Sequence, residues 1–399
     1  MSRLPIRASA DLQRLVDEGY ELSIVRGHLV IADVPYVDAS KRVRRGRLIS
    51  RLDLAGDRTV APRDHMAWFA GAAPCDRSGR MLKEMVHVNM AGVDLGDGQK
   101  AEWLLCSKPL DGEYADHYEK MVTFIRQIAS HAEAIDPAAT ARTGKVVADD
   151  LGRSPFHYLD TATARSGIAT LSERLSHQSI GIIGLGGTGG YVLDLVSKSP
   201  VKSIHVFDDD DFLQHNAFRA PGAASVEDLA SRRSKTDHFD RIYSRMHRGV
   251  VPHRTAMGPS TYAMLDGLDF VFICTDGTAQ KRGLIHHLED RGVSFVDVGM
   301  GLNVTERGIG GSVRVTTSTI DLRDHVWTRS RIPLSGEGAD EVYATNVQVA
   351  ELNALSASLA VIRWKRLLAF YRDDEREHFS IYSVEGNNLI NEELALVDQ

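Results

Sequence analysis

The sequence predicts an α/β protein in which a doubly wound parallel sheet, residues 151–399, follows a smaller α+β domain, residues 1–150. Three observations predict it. The stretch SIGIIGLGGTGG, Ser179 to Gly190, sets the apolar run Ile180, Ile182, Ile183 directly before a glycine turn; an amphipathic segment holding Val192, Leu193, Leu195 and Val196 follows, so the whole reads as strand, turn, helix. Strand-like and helical runs then alternate, the order that builds a parallel sheet with right-handed crossovers. Between Asp136 and Asp160 the pattern fades into small and charged residues, DPAATARTGKVVADDLGRSP, which sets the domain boundary near residue 150.

The 399 residues suffice for two or three domains, and 43% hydrophobic with 25% charged residues is the balance of a soluble globular chain. A formal net charge of −7 argues against general nucleic-acid binding, which needs surplus cations to replace counterions on phosphates. Cys75, Cys106 and Cys274 are too scattered for a disulfide framework or a CxxC zinc site, so a reducing compartment is expected. The N-terminus has no apolar signal core and no run approaches the roughly 18 apolar residues of a membrane span, so the expected location is cytoplasmic.

In the first domain, residues 9 to 18 make a short helix with Leu12, Leu15 and Val16 on one face, and ELSIV and HLVIADV flank Arg26-Gly27 as a β-hairpin. KRVRRGRLISR, Lys41 to Arg51, reads as a solvated edge or loop; its functional alternative is a docking patch for an acidic partner. His65, Cys75 and Asp76 lie among Pro and Gly, where a turn-forming role competes with a Cys nucleophile and His base. VHVNMAGV and KAEWLLCSKP bracket GDG as a second hairpin, with Cys106 a core residue of its second strand. Tyr118, Met121, Val122, Ile125 and Ile128 recur at helical spacing and predict a long helix over the sheet.

In the second domain Gly184, Gly186 and Gly189 permit a tight turn without Cβ clashes, so that N–H groups at the helix N-terminus point at a phosphate. A nucleotide is the expected ligand. The strand Ser203–Phe207 runs into DDDDFLQHNAFRAPG, and aspartates at the carboxyl end of a strand stand where such sheets bind ligands; a solvated acidic turn is the alternative. LDFVFICTDG delivers Asp276 to the same edge, with helix capping as its competing role, and VSFVDVGMG is a further strand. The long helical stretch with Val349, Leu352, Leu355, Leu359, Ile362 and Leu367 closes one face, and a terminal hairpin turns about Glu385–Asn388.

GLGGTGG, FDDDDFLQHNAFR, RRSK and CTDG, in this order and spacing, resemble the ThiF/MoeB family, adenylyltransferases related to ubiquitin-activating enzymes, over about residues 160 to 370. The resemblance implies a Rossmann-like adenylation domain. It implies that Gly184, Gly186, Gly187, Gly189, Asp208, Asp210 and Asn216 bind the nucleotide, with Asp208 on the ribose, and that Arg219, Lys235 and Asp276 serve catalysis, Asp276 by holding Mg²⁺. Gly277 departs from the family's Asn, and Arg165 corresponds loosely to an arginine that reaches the partner subunit's nucleotide. DVPYV, LDLAG, PCD, SKP and HYEKM resemble the amino-terminal extension of bacterial members encoded beside ubiquitin-like modifiers. A ubiquitin-like protein substrate, a conjugating-enzyme partner and a homodimer are therefore expected, with the first domain docking a modifier or partner.

The implied reaction joins a peptide C-terminal carboxylate to the α-phosphorus of ATP and releases pyrophosphate. A carboxylate is already a nucleophile, so the demand is for cations and positioned donors, which Arg219, Lys235 and the glycine-turn N–H groups can supply. Each of the two side chains has a surface-cation alternative. Two other classes compete: an NAD-dependent oxidoreductase on the same glycine fingerprint, which leaves Asn216, Arg219 and Lys235 unexplained, and a non-catalytic modifier-binding scaffold, which has no need of them. No cysteine follows Cys274, itself expected to be buried on its strand. Transfer from the adenylate to a partner, or to a hydroxyl among Thr316, Thr317, Ser318, Thr319, Ser330 and Ser335, is thus expected over a thioester in the loop after the TDG strand, with Cys75 as rival.

Overall fold

The computed structural model describes residues 4–96, 99–109, 112–145, 154–158, 160–165, 168–275, 278–334 and 347–392. The chain divides into two compact units, Met1–Leu151 with Tyr158–Ala169, and Gly152–His157 with Thr170–Gln399. Among the described residues no helix is long and apolar enough to cross a membrane.

The first unit holds β1 (Leu22–Val25), β2 (His28–Val37), β3 (Val43–Arg51), the short pair β4 (Leu54–Ala55) and β5 (Arg58–Thr59), then β6 (Met66–Ala70), β7 (Val86–Gly96) and β8 (Gln99–Cys106). An antiparallel sheet runs in the order β1-β2-β3-β6-β8-β7. Arg26 and Gly27, at φ 48° and 77°, make the two-residue turn of the first hairpin, the left-handed pair that matches strand twist. The basic run is not an edge or loop: β3 lies inside the sheet. Leu48 packs into the main core and Ile49 into a smaller cluster, while Arg44 and Arg45 carry their charges outward to Asp38 and the carbonyl of Asp33, so the arginines hide the strand's alternation. Helix His117–Glu133 is capped by Asp116, which accepts from the Glu119 N–H at 2.8 Å, and it buries Met121, Phe124, Ile125 and Ile128.

The second unit contributes β9 (Ser179–Ile183), β10 (Ser203–Phe207), β11 (Val250–His253), β12 (Phe270–Ile273), β13 (Ser294–Thr305), β14 (Gly308–Ser318), β15 (Phe379–Ser383) and β16 (Asn388–Asn391), in the order β11-β10-β9-β12-β13-β14-β15-β16. The strands from β11 across to β13 pair parallel and the rest antiparallel. Chain order runs one way from β9 to β11 and then resumes on the other side at β12, so the strand order reverses between β9 and β12. A crevice opens at that point, beyond the carboxyl ends of the strands. Ile180 and Ile182 pack with Val192, Leu193, Ala357 and Trp364 on one face, and Ile183 packs with Leu284, Ile285 and Leu288 on the other, which explains the continuous apolar run of β9.

Helix Ala350–Leu367 closes the first of these faces, but with a different set of residues from the leucines. It buries Asn353, Ser356, Ala357, Ala360, Val361 and Trp364, while Ile362 is exposed and Leu352, Leu355 and Leu359 are half-buried. Small side chains face inward because this helix lies directly against helix Gly187–Val196, itself glycine-rich at its start.

A buried histidine in this unit makes stability pH-dependent. His247 accepts the Gly249 N–H on Nδ1 at 3.0 Å, leaving Nε2 to donate to the Val201 carbonyl at 3.1 Å, so the native ring is neutral. Burial pushes its pKa down to about 4 from 6.5. The unfolded chain binds the extra proton first, so the stabilisation is complete above pH 6.5 and is lost as pH falls toward 4, by on the order of 3 kcal/mol. The melting temperature is expected to fall over that window, and a His247→Gln protein should show a flatter profile. Equal slopes in the two proteins would exclude His247 as the source.

Candidate functional site

The site is assembled where β9, β10 and β12 end. Gly184 leaves β9 at φ 87°, a conformation that favours glycine, and a Cβ there would stand 2.8 Å from the Cys274 carbonyl oxygen. Gly186 occupies the N-cap of helix Gly187–Val196 and, having no side chain, offers no cap of its own to the first N–H groups of the helix. A Cβ on Gly189 would overlap the carbonyl oxygen of Gly184. That glycine serves the close packing of helix on turn and does not line the crevice.

Asp208, buried at the end of β10, ties this turn down. One of its carboxylate oxygens accepts the Leu185 N–H at 2.7 Å and the other the Asp210 N–H at 2.9 Å. Lys235 opens helix Lys235–Tyr243, capped by Ser234, and its buried ammonium lies 2.6 Å from Asp210 Oδ2 and 3.3 Å from Asp208 Oδ1. Asn216 is buried beside the crevice; its Oδ1 accepts the Leu213 N–H at 2.8 Å and its carbonyl accepts the Arg219 N–H at 3.1 Å. It shapes the turn that presents Arg219. The Arg219 Nε is buried and has no hydrogen-bond partner among the described residues.

These groups surround a cavity of about 290 Å³, walled by Gly184, Gly186, Gly187 and Thr188, by Asp208, Asp210, Arg219 and Lys235, and by Cys274, Thr275, Val298, Gly299 and Met300. A smaller hollow of about 100 Å³ shares Gly184, Asp208, Asp210 and Thr275 and extends over Asp209, Met257, Lys281 and Leu284. A strip of N–H groups and two cations, one of them Arg219 with its orphaned Nε–H, fit a chain of phosphates, and the two acids fit vicinal hydroxyls.

Of the residues expected from sequence, Gly184, Gly186, Gly187, Asp208, Asp210, Arg219 and Lys235 line one cavity, whereas Gly189 and Asn216 support it from outside the lining. Asp276 lies outside the described residues, as do Gly277 and Ser335. Arg165 ends helix Thr161–Arg165 of the first unit. Cys274 is not buried within β12: it stands one residue past the strand, half-buried, on the cavity wall. Thr316, Thr317 and Ser318 are buried, Thr319 is half-buried and Ser330 is exposed. Cys75 is buried too, and burial, followed by the charges of Asp76 and Asp38, pushes its thiol up, away from the reactive thiolate. Sequence reasoning missed Thr188 and Asn353. Asn353 lies one turn before Ser356 and Ala357 on the buried side of its helix, and no local pattern in the sequence marked it.

Residues 162–315 match the ThiF family, and residues 10–161 match a domain of unknown function, DUF6791. No curated protein matches the chain. Among solved structures the chain is similar to PaaA, at 16% identity and TM-score 0.44 over 56% of this chain and 75% of that one. It is also similar to E. coli MccB with ATP, at 12% identity and TM-score 0.43 over 56% of this chain and 65% of MccB.

Proposed function

From a chain whose residues 162–315 are a ThiF-family domain, we propose an ATP-dependent adenylyltransferase that activates the C-terminal carboxylate of a ubiquitin-like protein. The observation that carries the proposal is the meeting of Arg219, Lys235 and the uncapped helix N-terminus in one polar cavity. A carboxylate oxygen bonds to the α-phosphorus as the bond from that phosphorus to the bridging oxygen breaks, and pyrophosphate leaves with the electron pair. Charge grows on phosphate oxygens, where Arg219 and Lys235 stabilise it. Mg²⁺, when bound, would neutralise further phosphate charge. The proposed metal ligand is Asp276; Asp208 and Asp210, which flank Lys235, are left to the ribose hydroxyls.

The remaining parts of the proposal are a homodimer, a cytoplasmic location, a first domain (residues 1–150) that docks the modifier or a conjugating-enzyme partner, and release of the acyl group directly to that partner. Burial of Cys75, Thr316, Thr317 and Ser318 disfavours an internal ester at those four residues.

The expected result is exchange of labelled pyrophosphate into ATP only when a small β-grasp protein with a flexible C-terminal tail is present. ATP should bind and NAD should not. NAD binding without ATP binding would favour a dehydrogenase, and binding of neither would favour a scaffold.

A further inference from the structure

Asn353 sits near the start of helix Ala350–Leu367, buried with 1% of its surface exposed, more than a hundred residues beyond the other polar groups of the cavity's nucleotide side. Its amide meets three segments. Oδ1 accepts the Thr188 hydroxyl at 2.9 Å, Nδ2 donates to the Arg219 carbonyl at 3.3 Å, and the whole group fills the space that a Cβ on Gly187 would need. The Arg219 backbone is therefore held at both ends, its N–H by the Asn216 carbonyl and its carbonyl by Asn353, while its Nε has no partner among the described residues.

We infer that Asn353 is a positioning residue: its side-chain amide locks the glycine turn and the Arg219 segment into one spacing, the spacing that a bound triphosphate requires. This rests on the nucleotide reading above. The residue type follows from the geometry. Asp has no donor for the Arg219 carbonyl, Leu has neither donor nor acceptor, and Gln carries an extra methylene into a space already closed by Gly187. Asn is a poor helix former, so its presence on the buried side of this helix is understandable as a site requirement rather than a helix preference. Both of its bonds stay within one rigid amide, so a change at either end moves the other. Preorganisation of this kind matters most where charges must be met at fixed distance.

The test uses the full chain, with ATP affinity measured by calorimetry well below the melting temperature of each variant. Asn353→Ala is expected to weaken ATP binding by about ten- to a hundredfold, the range set by one or two lost buried hydrogen bonds. Thr188→Val, a milder change, should weaken it by a smaller factor, and the double variant should bind no worse than Asn353→Ala alone. A merely structural role would lower the melting temperature and leave the folded protein's affinity unchanged. A second readout needs no nucleotide: Gly187→Ala should lower the melting temperature sharply in the parent and little in an Asn353→Ala background. A folded Asn353→Ala protein with parental ATP affinity would overturn the inference, as would Gly187→Ala being equally damaging in both backgrounds. A parent that binds no ATP would overturn the nucleotide reading instead, and the Gly187 pair would still decide whether Asn353 seats the turn.

Discussion

Replacing Lys235 with alanine is expected to reduce modifier-dependent exchange of pyrophosphate into ATP by about 10²- to 10³-fold, the usual loss when one positioned donor to a developing anion is removed. The structure sharpens the expectation. Lys235 lies between Asp208 and Asp210, so its removal leaves two carboxylates facing the space where phosphates would enter, one of them buried. ATP binding should weaken along with the chemical step, because the cavity changes from balanced to anionic. Adding Asp210→Asn to Lys235→Ala removes one of those charges and should recover part of the binding but little of the exchange rate. The Asp210 side chain is largely exposed, so this second change should cost the fold little. Exchange within threefold of the parent in a folded Lys235→Ala protein would remove Lys235 from the reaction.

Much of this site was legible because its parts are short and local. The apolar run before GLGGTGG is what a strand buried on both faces of a parallel sheet shows, and the glycines are demanded by backbone contacts at Gly184 and Gly189. The hairpin at Arg26-Gly27 and the helix behind Asp116 were equally local signals. What escaped depends on partners distant in sequence. β3 carries exposed Arg44, Arg45 and Arg51 around a buried run of Leu48, Ile49 and Ser50, so no alternation appears in its hydrophobic pattern. In Ala350–Leu367 the leucines suggested the buried face, yet the facing helix begins with glycines and the start of this helix buries Asn353, Ser356 and Ala357 instead. β14 opens with three glycines in its first four residues, a weak strand signal that acquires order from the long β13 beside it. Asn353 belongs to the same class: its role exists only once Thr188 and Arg219 are brought to it.

Gly189→Ala should produce the largest loss of stability at the site, although a helix-interior Gly→Ala change ordinarily gains about 1 kcal/mol. The sign reverses here because the new Cβ would overlap the Gly184 carbonyl oxygen, a backbone atom with no rotamer to escape into. The turn cannot yield easily. The Gly184 N–H is bonded to the Phe207 carbonyl at 2.8 Å, its own Cβ position is closed by the Cys274 carbonyl, and the next residue's N–H is held by Asp208. Relief must come from displacing helix Gly187–Val196 from β9, which opens the packing around Val192 and Leu193. The expected cost is about 3 kcal/mol, or a fall of roughly 10 °C in melting temperature for a unit of this size, together with loss of ATP binding. Gly186→Ala is the informative contrast, since nothing lies within 4 Å of its Cβ position while the residue lines the cavity. It should stay within about 1 kcal/mol of the parent in stability and still weaken ATP binding by obstructing close approach of phosphate to the backbone. Thermal denaturation and calorimetric titration of the two variants separate the roles. A Gly189→Ala protein that melts with the parent would show that the turn and helix are not locked together, and a Gly186→Ala protein with undiminished ATP affinity would show that phosphate does not approach this turn.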